Sequence, residues 1–105
     1  MTISDPDADQ PQLLGYYNTV YALESIIIDG NIYFVVSSIV PNEEGPIKYQ
    51  LTLIYRDKSG AWQEGSLRQT EMPINQLCLA EYHNRLYMVY GMSSLILAKV
   101  ELNQM

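Results

Sequence analysis

The chain has 105 residues, 48% of them apolar, which suits one domain with a packed core and excludes both a multidomain array and wholesale disorder. A formal charge of −6 removes the attraction to phosphate backbones and anionic lipid that nucleic-acid or membrane-surface binding needs. A lone cysteine, Cys78, excludes an intrachain disulfide framework; set inside a strand pattern, it reads as a buried, inert thiol.

Residues 1–12 form a polar, acidic arm with Pro6 and Pro11. Asp5, Asp7 and Asp9 alternate as in a calcium loop, but the glycine and later glutamate of such a loop are missing, so the arm reads as a solvated tail. It has no basic start and no apolar run, hence no signal-peptide pattern. The default reading is cytoplasmic, with leaderless export as the alternative. From residue 13 the texture turns to β, and residues 13–105 read as a single β domain. Leu13–Tyr17 reads as a short strand, and Val20 to Ile28 leads into Asp29-Gly30-Asn31, a strong signal for a two-residue hairpin turn. The return strand is Ile32-Tyr33-Phe34-Val35-Val36. A loop from Val40 to Pro46 follows, with two prolines and two glutamates, and then a strand from Lys48 to Tyr55. The turn Arg56–Gly60 delivers a short outer strand at Trp62-Gln63-Glu64. Ser66 to Met72 reads as a polar connection closed by Pro73.

The pattern then recurs. Leu79-Ala80 up to Tyr82, the turn His83-Asn84-Arg85 and the run Leu86-Tyr87-Met88-Val89-Tyr90 repeat the first hairpin 54 residues later, Leu86 standing for Ile32. Leu95 to Leu102 repeats the Lys48–Tyr55 strand at an offset of 44, Leu95 standing for Leu51. The two repeats span about 20–72 and 74–105. No window carries a helical stripe over three turns, so the fold class is all-β.

Both inner strands are apolar on both faces: Ile32, Phe34 and Val36 against Tyr33 and Val35, then Leu86, Met88 and Tyr90 against Tyr87 and Val89. A two-layer sandwich needs one apolar face per sheet. Stacking two such sheets leaves two apolar faces in water, at ~1.5–3 kcal/mol per large side chain. The expected architecture is therefore two four-stranded antiparallel, propeller-like blades, with a ring completed by self-association, a trimer giving six blades first. The second repeat lacks a fourth strand, which Leu13–Tyr17 would supply within the chain or from a neighbour. A compact β-sandwich or small barrel is the alternative.

Catalysis finds little support. His83 is the sole histidine and sits in a turn, one His and one Cys make no zinc set, and no nucleophile elbow or phosphate loop is visible. No catalytic residue, metal or cofactor is expected. Tyr55-Arg56-Asp57 through Trp62 and Glu64 instead brings together an aromatic platform, a guanidinium and carboxylates, the residue types that stack on a sugar ring and bond its hydroxyls. Tyr90 is a further contact candidate. The succession Ile28–Val36, Leu51–Tyr55 and Ser59-Gly60-Ala61-Trp62 resembles a blade of the small fungal and bacterial propeller lectins. That resemblance implies a non-catalytic, carbohydrate-binding oligomer in which Trp62 or a nearby Tyr stacks while Arg56, Asp57 or Glu64 bonds hydroxyls. The second repeat has no Trp and places Lys99 where the first has Tyr55. The resemblance therefore implies one recognisable site type per chain. The other reading is a small acidic interaction module, of inhibitor or immunity type, that captures a basic protein.

Overall fold

Two tight turns set the frame of the computed structural model. Asp29 and Gly30 take φ of 53° and 80°, and His83 and Asn84 take 53° and 60°. Positive φ at both central residues defines the type I′ turn, whose twist matches that of the strands it joins. The closing pairs, Ile28 with Asn31 and Tyr82 with Arg85, stand at the same 54-residue offset seen in the sequence.

The structure describes residues 11, 13–40, 45, 47–91 and 94–101. The polar arm before Pro11, most of the Pro41–Pro46 loop and the chain after Glu101 lie outside them. Seven strands are described: β1 (Val20–Ile28), β2 (Asn31–Val40), β3 (Lys48–Arg56), β4 (Trp62–Thr70), β5 (Gln76–Tyr82), β6 (Arg85–Gly91) and β7 (Leu95–Val100). They form two antiparallel meanders, β1-β2-β3-β4 and β5-β6-β7. The all-β expectation therefore holds, with one sheet of four strands and one of three. None of the described segments is a helix long and apolar enough to cross a membrane.

Three details depart from the sequence reading. Leu13–Tyr17 carries no strand. The outer strand does not stop after Glu64 but runs on to Thr70. The register shift between Leu51 and Thr52 puts Leu67 in excess on β4, which breaks the alternation that would have revealed a strand there. Cys78 is exposed, not buried, because its neighbours Leu77 and Leu79 take the core side of β5.

The core lies between the sheets. Ile28, Val35, Leu51 and Leu53 face Leu86, Met88, Tyr90 and Val100, with Ile74 of the linker, and Tyr33, Tyr55, Leu67, Leu77, Leu79 and Ala98 pack around them. In terms of the repeat, opposite faces meet. The first sheet presents Tyr33 and Val35, whereas the second presents Leu86, Met88 and Tyr90, the counterparts of Ile32, Phe34 and Val36. On the third strands the same swap holds, Leu53 being 3% exposed and its counterpart Leu97 68%. The sheets approach most closely at β1 and β5. Toward the later strands they leave a cavity of about 350 Å³ between Gly65–Arg68 on one side and Ala98–Glu101 on the other.

Gly91 ends β6 with its Cα against the chain just before β7. A Cβ there would fall 1.8 Å from the Ser94 carbonyl oxygen. Since that atom is backbone, relief requires moving the connection. Gly91→Ala is expected to cost about 1–3 kcal/mol, the range for locally strained backbone, measured by denaturant unfolding.

Candidate functional site

The six residues singled out in the sequence do not converge. Tyr55 lies beside the core between the sheets, and Tyr90, 1% exposed, is inside that core. Arg56, Trp62 and Glu64 occupy the opposite, outer face of the first sheet. Arg56 and Trp62 are cross-strand partners, as are Ile54 and Glu64. The guanidinium carbon of Arg56 sits 5.2 Å from the Trp62 ring centroid, a cation–π distance, and Phe34 lies 6.0 Å away on the same face. Arg56 Nε and Nη2 donate to the Gly60 carbonyl at 3.2 and 3.0 Å, while its buried Nη1 has no protein partner among the described residues.

Asp57 holds the β3–β4 turn. Its Oδ1 accepts from the Ser59 amide (2.9 Å), the Ser59 hydroxyl (2.6 Å) and the Ala61 amide (3.0 Å), and its Oδ2 accepts from Gln63 Nε2 (2.8 Å). These donors, the Ser59 hydroxyl and Gln63 amide foremost, lower its pKa to about 2. A carboxylate whose folded pKa lies below its unfolded value of about 3.9 stabilises the fold above that value. The contribution fades as pH falls through about 2. Acid unfolding followed by circular dichroism should therefore show Asp57→Ala losing less stability than the wild type between pH 4 and pH 2.

Glu64 is engaged from another direction. The Tyr17 hydroxyl donates to its Oε1. Partial burial and the carboxylate together push the Tyr17 phenol well above its ordinary range.

A larger cleft opens where the sheets meet at their turn ends. About 450 Å³ in volume, it is bounded by Ile28, Asp29, Asn31 and Tyr33 from the first sheet and by Asn84, Arg85, Lys99, Val100 and Glu101 from the second. The β1–β2 and β5–β6 turns supply four of these polar side chains, and β7 with the residue after it supplies Lys99 and Glu101, an ion pair at 3.4 Å. Burial, with the Asp29 charge second, raises the Tyr33 pKa. Its phenol, protonated at neutral pH as an ordinary tyrosine's is, offers a donor beside an aromatic face. Amides, carboxylates, two cations and a tyrosine at the mouth of an apolar layer can bond vicinal hydroxyls and cover a sugar ring. Asp29, Asn31, Asn84 and Arg85 carry an ordinary turn signature in the sequence. The only local cue to a site is that both turns belong to one repeat and therefore sit at the same end.

A smaller cleft of about 150 Å³ lies on the outer face of the first sheet, among Gly30, Asn31, Ile32, Arg56, Asp57, Lys58 and Gly60. Through the β3–β7 offset, Arg56 and Asp57 are the counterparts of Val100 and Glu101. Its wall thus repeats the second-sheet wall of the large cleft. No three His, Cys, Asp or Glu residues among those described are grouped to hold a metal ion. Compared with family models, curated proteins and solved structures, the chain matches none.

Proposed function

We propose that this chain is a non-catalytic carbohydrate-binding protein built of two propeller-like blades, which self-associates and takes its ligand in the cleft between blades. The observation that carries the reading is the 450 Å³ cleft, where Asp29, Asn31, Asn84, Arg85 and Glu101 gather hydrogen-bonding groups around Tyr33 at a junction of two sheets. The blade reading draws support from the meander order, the close approach of the first strands and the meeting of opposite repeat faces. Sheets stacked front to back in this way leave the outer face of the second sheet open and that of the first open along β1, while Val36, Thr52 and Ile54 at the centre of the first are buried. The open face of the second sheet carries Tyr82, Leu95 and Leu97, and that of the first carries Leu23 and Ile27, all five exposed. Laying one on the other in a second copy would also place Arg85 and Tyr87, the counterparts of Asn31 and Tyr33, across from the Arg56 and Asp57 wall.

A glycan array with the 105-residue chain tests the ligand class. Saturable binding is expected, weakened at least tenfold by Arg85→Ala, a change at an exposed turn position. Loss of binding in Trp62→Ala with Arg85→Ala unaffected would move the ligand to the outer face of the first sheet. No saturable binding to any glycan, with capture of a basic protein that weakens steeply in salt, would replace this reading with the acidic interaction module.

A further inference from the structure

We infer that the second sheet takes its fourth strand from a partner: an extended peptide, apolar at alternate positions, that pairs with β7 and lays those side chains into the slot between β7 and β4. The inference is independent of the sugar ligand and of self-association.

β7 pairs with β6 on one side, and among the described residues nothing pairs with the other. Alternate residues of its six therefore present N–H and C=O groups without ladder partners. The first sheet carries β4 in the corresponding place. Between β4 and the free edge lies the 350 Å³ cavity, walled by Gly65–Arg68 and Ala98–Glu101. Its floor is core, formed by the buried Leu53, Met88 and Val100. A strand added to β7 would turn one set of alternate side chains toward that floor and the other set toward solvent.

Gly65 marks where those side chains would seat. It stands opposite Leu53 in the β3–β4 ladder, so a side chain at that position would point the same way as Leu53, into the slot. A Cβ built there meets nothing within 4 Å. The backbone of Gly65 lies outside the positive-φ region, so strand geometry does not call for glycine. A glycine inside a strand gives up packing, and it suits a place where another chain approaches closely.

The chemistry of the edge selects a peptide. Its donors and acceptors repeat at strand spacing, ~3.3–3.4 Å per residue, which another extended backbone matches and a sugar does not. Main-chain pairing along a free edge, with alternate side chains in pockets, is a recurrent mode of peptide recognition. Leu13–Tyr17 lies on the wrong side of β4 for the slot, since Tyr17 is tied to Glu64 on the outer face of the first sheet. A second copy offering its own β7 meets an obstacle. Antiparallel pairing would bring both first sheets to the same side, where β4 already stands across the vacant position, and the two sheets would collide. A single extended segment carries no such second layer.

Hydrogen exchange read by NMR on the 105-residue chain tests the placement. The probes are six-residue peptides, the length of β7, that alternate threonine with valine, leucine or phenylalanine. At least one is expected to bind saturably and to slow the outward amides of β7 by about tenfold or more. Methylating one set of the peptide's alternate amides should abolish binding, and methylating the other set should spare it. Gly65→Leu, which fills the open space, should weaken binding by about tenfold or more with unchanged circular dichroism. If that variant loses its β signal, the methylated peptides decide on the wild-type chain. No saturable binding by any probe, binding without protection of β7, or binding indifferent to methylation overturns the inference. So does undiminished binding to a folded Gly65→Leu chain. Outward β7 amides already slow in the free chain overturn it too, because a segment of this chain or a second copy then holds the edge.

Discussion

Leu97→Asp is expected to reduce the proposed assembly to single chains while leaving the fold of each chain unchanged. Leu97 is 68% exposed on the outer face of β7, and a surface substitution of this kind shifts chain stability by no more than about 0.5 kcal/mol. Its counterpart in the first repeat, Leu53, is 3% exposed and packs against the second sheet. If stacking continues from chain to chain, Leu97 occupies in the next junction the place that Leu53 occupies in this one. A carboxylate there would be desolvated without a partner, at several kcal/mol per junction. Light scattering should give the mass of an assembly for the wild type and of one chain for the variant, with superimposable circular dichroism. Equal masses would end the front-to-back model, and a loss of β signal would show that Leu97 supports the single chain.

The second large effect separates the two faces of equivalent strands. In β2 the odd positions enter the core, with Val35 fully buried. In β6 the even positions do, with Leu86 and Met88 buried and Val89 half-exposed. Leu86→Ala is expected to cost ~2–5 kcal/mol through lost burial and the cavity left behind, out of a total of roughly 5–15 kcal/mol. That corresponds to a fall in Tm of about 10–30 °C for a domain of this size. Ile32→Ala, at the counterpart position, is expected to cost about 1 kcal/mol or less in a single chain, because Ile32 lies on the outer face and is only half-buried. The pair should be measured in the Leu97→Asp background, where no neighbour covers that face. Similar losses for both would mean that equivalent faces meet and that the unit is a closed sandwich.

Local chemistry carried much of the fold into the sequence. Asp29-Gly30 and His83-Asn84 accept positive φ, and the runs around them alternate with period two, so both hairpins and their 54-residue offset were legible. The period of two does not say which parity faces the core, since each inner strand is apolar on both sides. For that reason the burial of Tyr90 and the exposure of Cys78 could not be read from their own neighbours. β4 was truncated because the bulge at Leu67 interrupts its alternation and the rest of the strand is polar. The large cleft was hidden for another reason. Its turn residues looked like turn residues, and Lys99 and Glu101 reach it only through the pairing of β7 with β6. In the Arg56–Glu64 stretch the grouping of residue types was legible, whereas the engagement of the Asp57 carboxylate by its own turn depends on Ser59, Ala61 and Gln63 folding back on it.

The meeting of opposite faces also gives the molecule a polarity. Both type I′ turns line the same cleft and so lie at the same end of the two sheets. Each copy added in the same sense would bring its turns to that end, so every binding cleft would open on one rim. A glycan-bearing surface would then be gripped at several points at once. With a local concentration in the millimolar range for closely tethered sites, avidity can exceed the affinity of one cleft by ~10²–10⁴. Weak single-site recognition would suffice for firm attachment, and the strength of that attachment would depend on how many chains are joined.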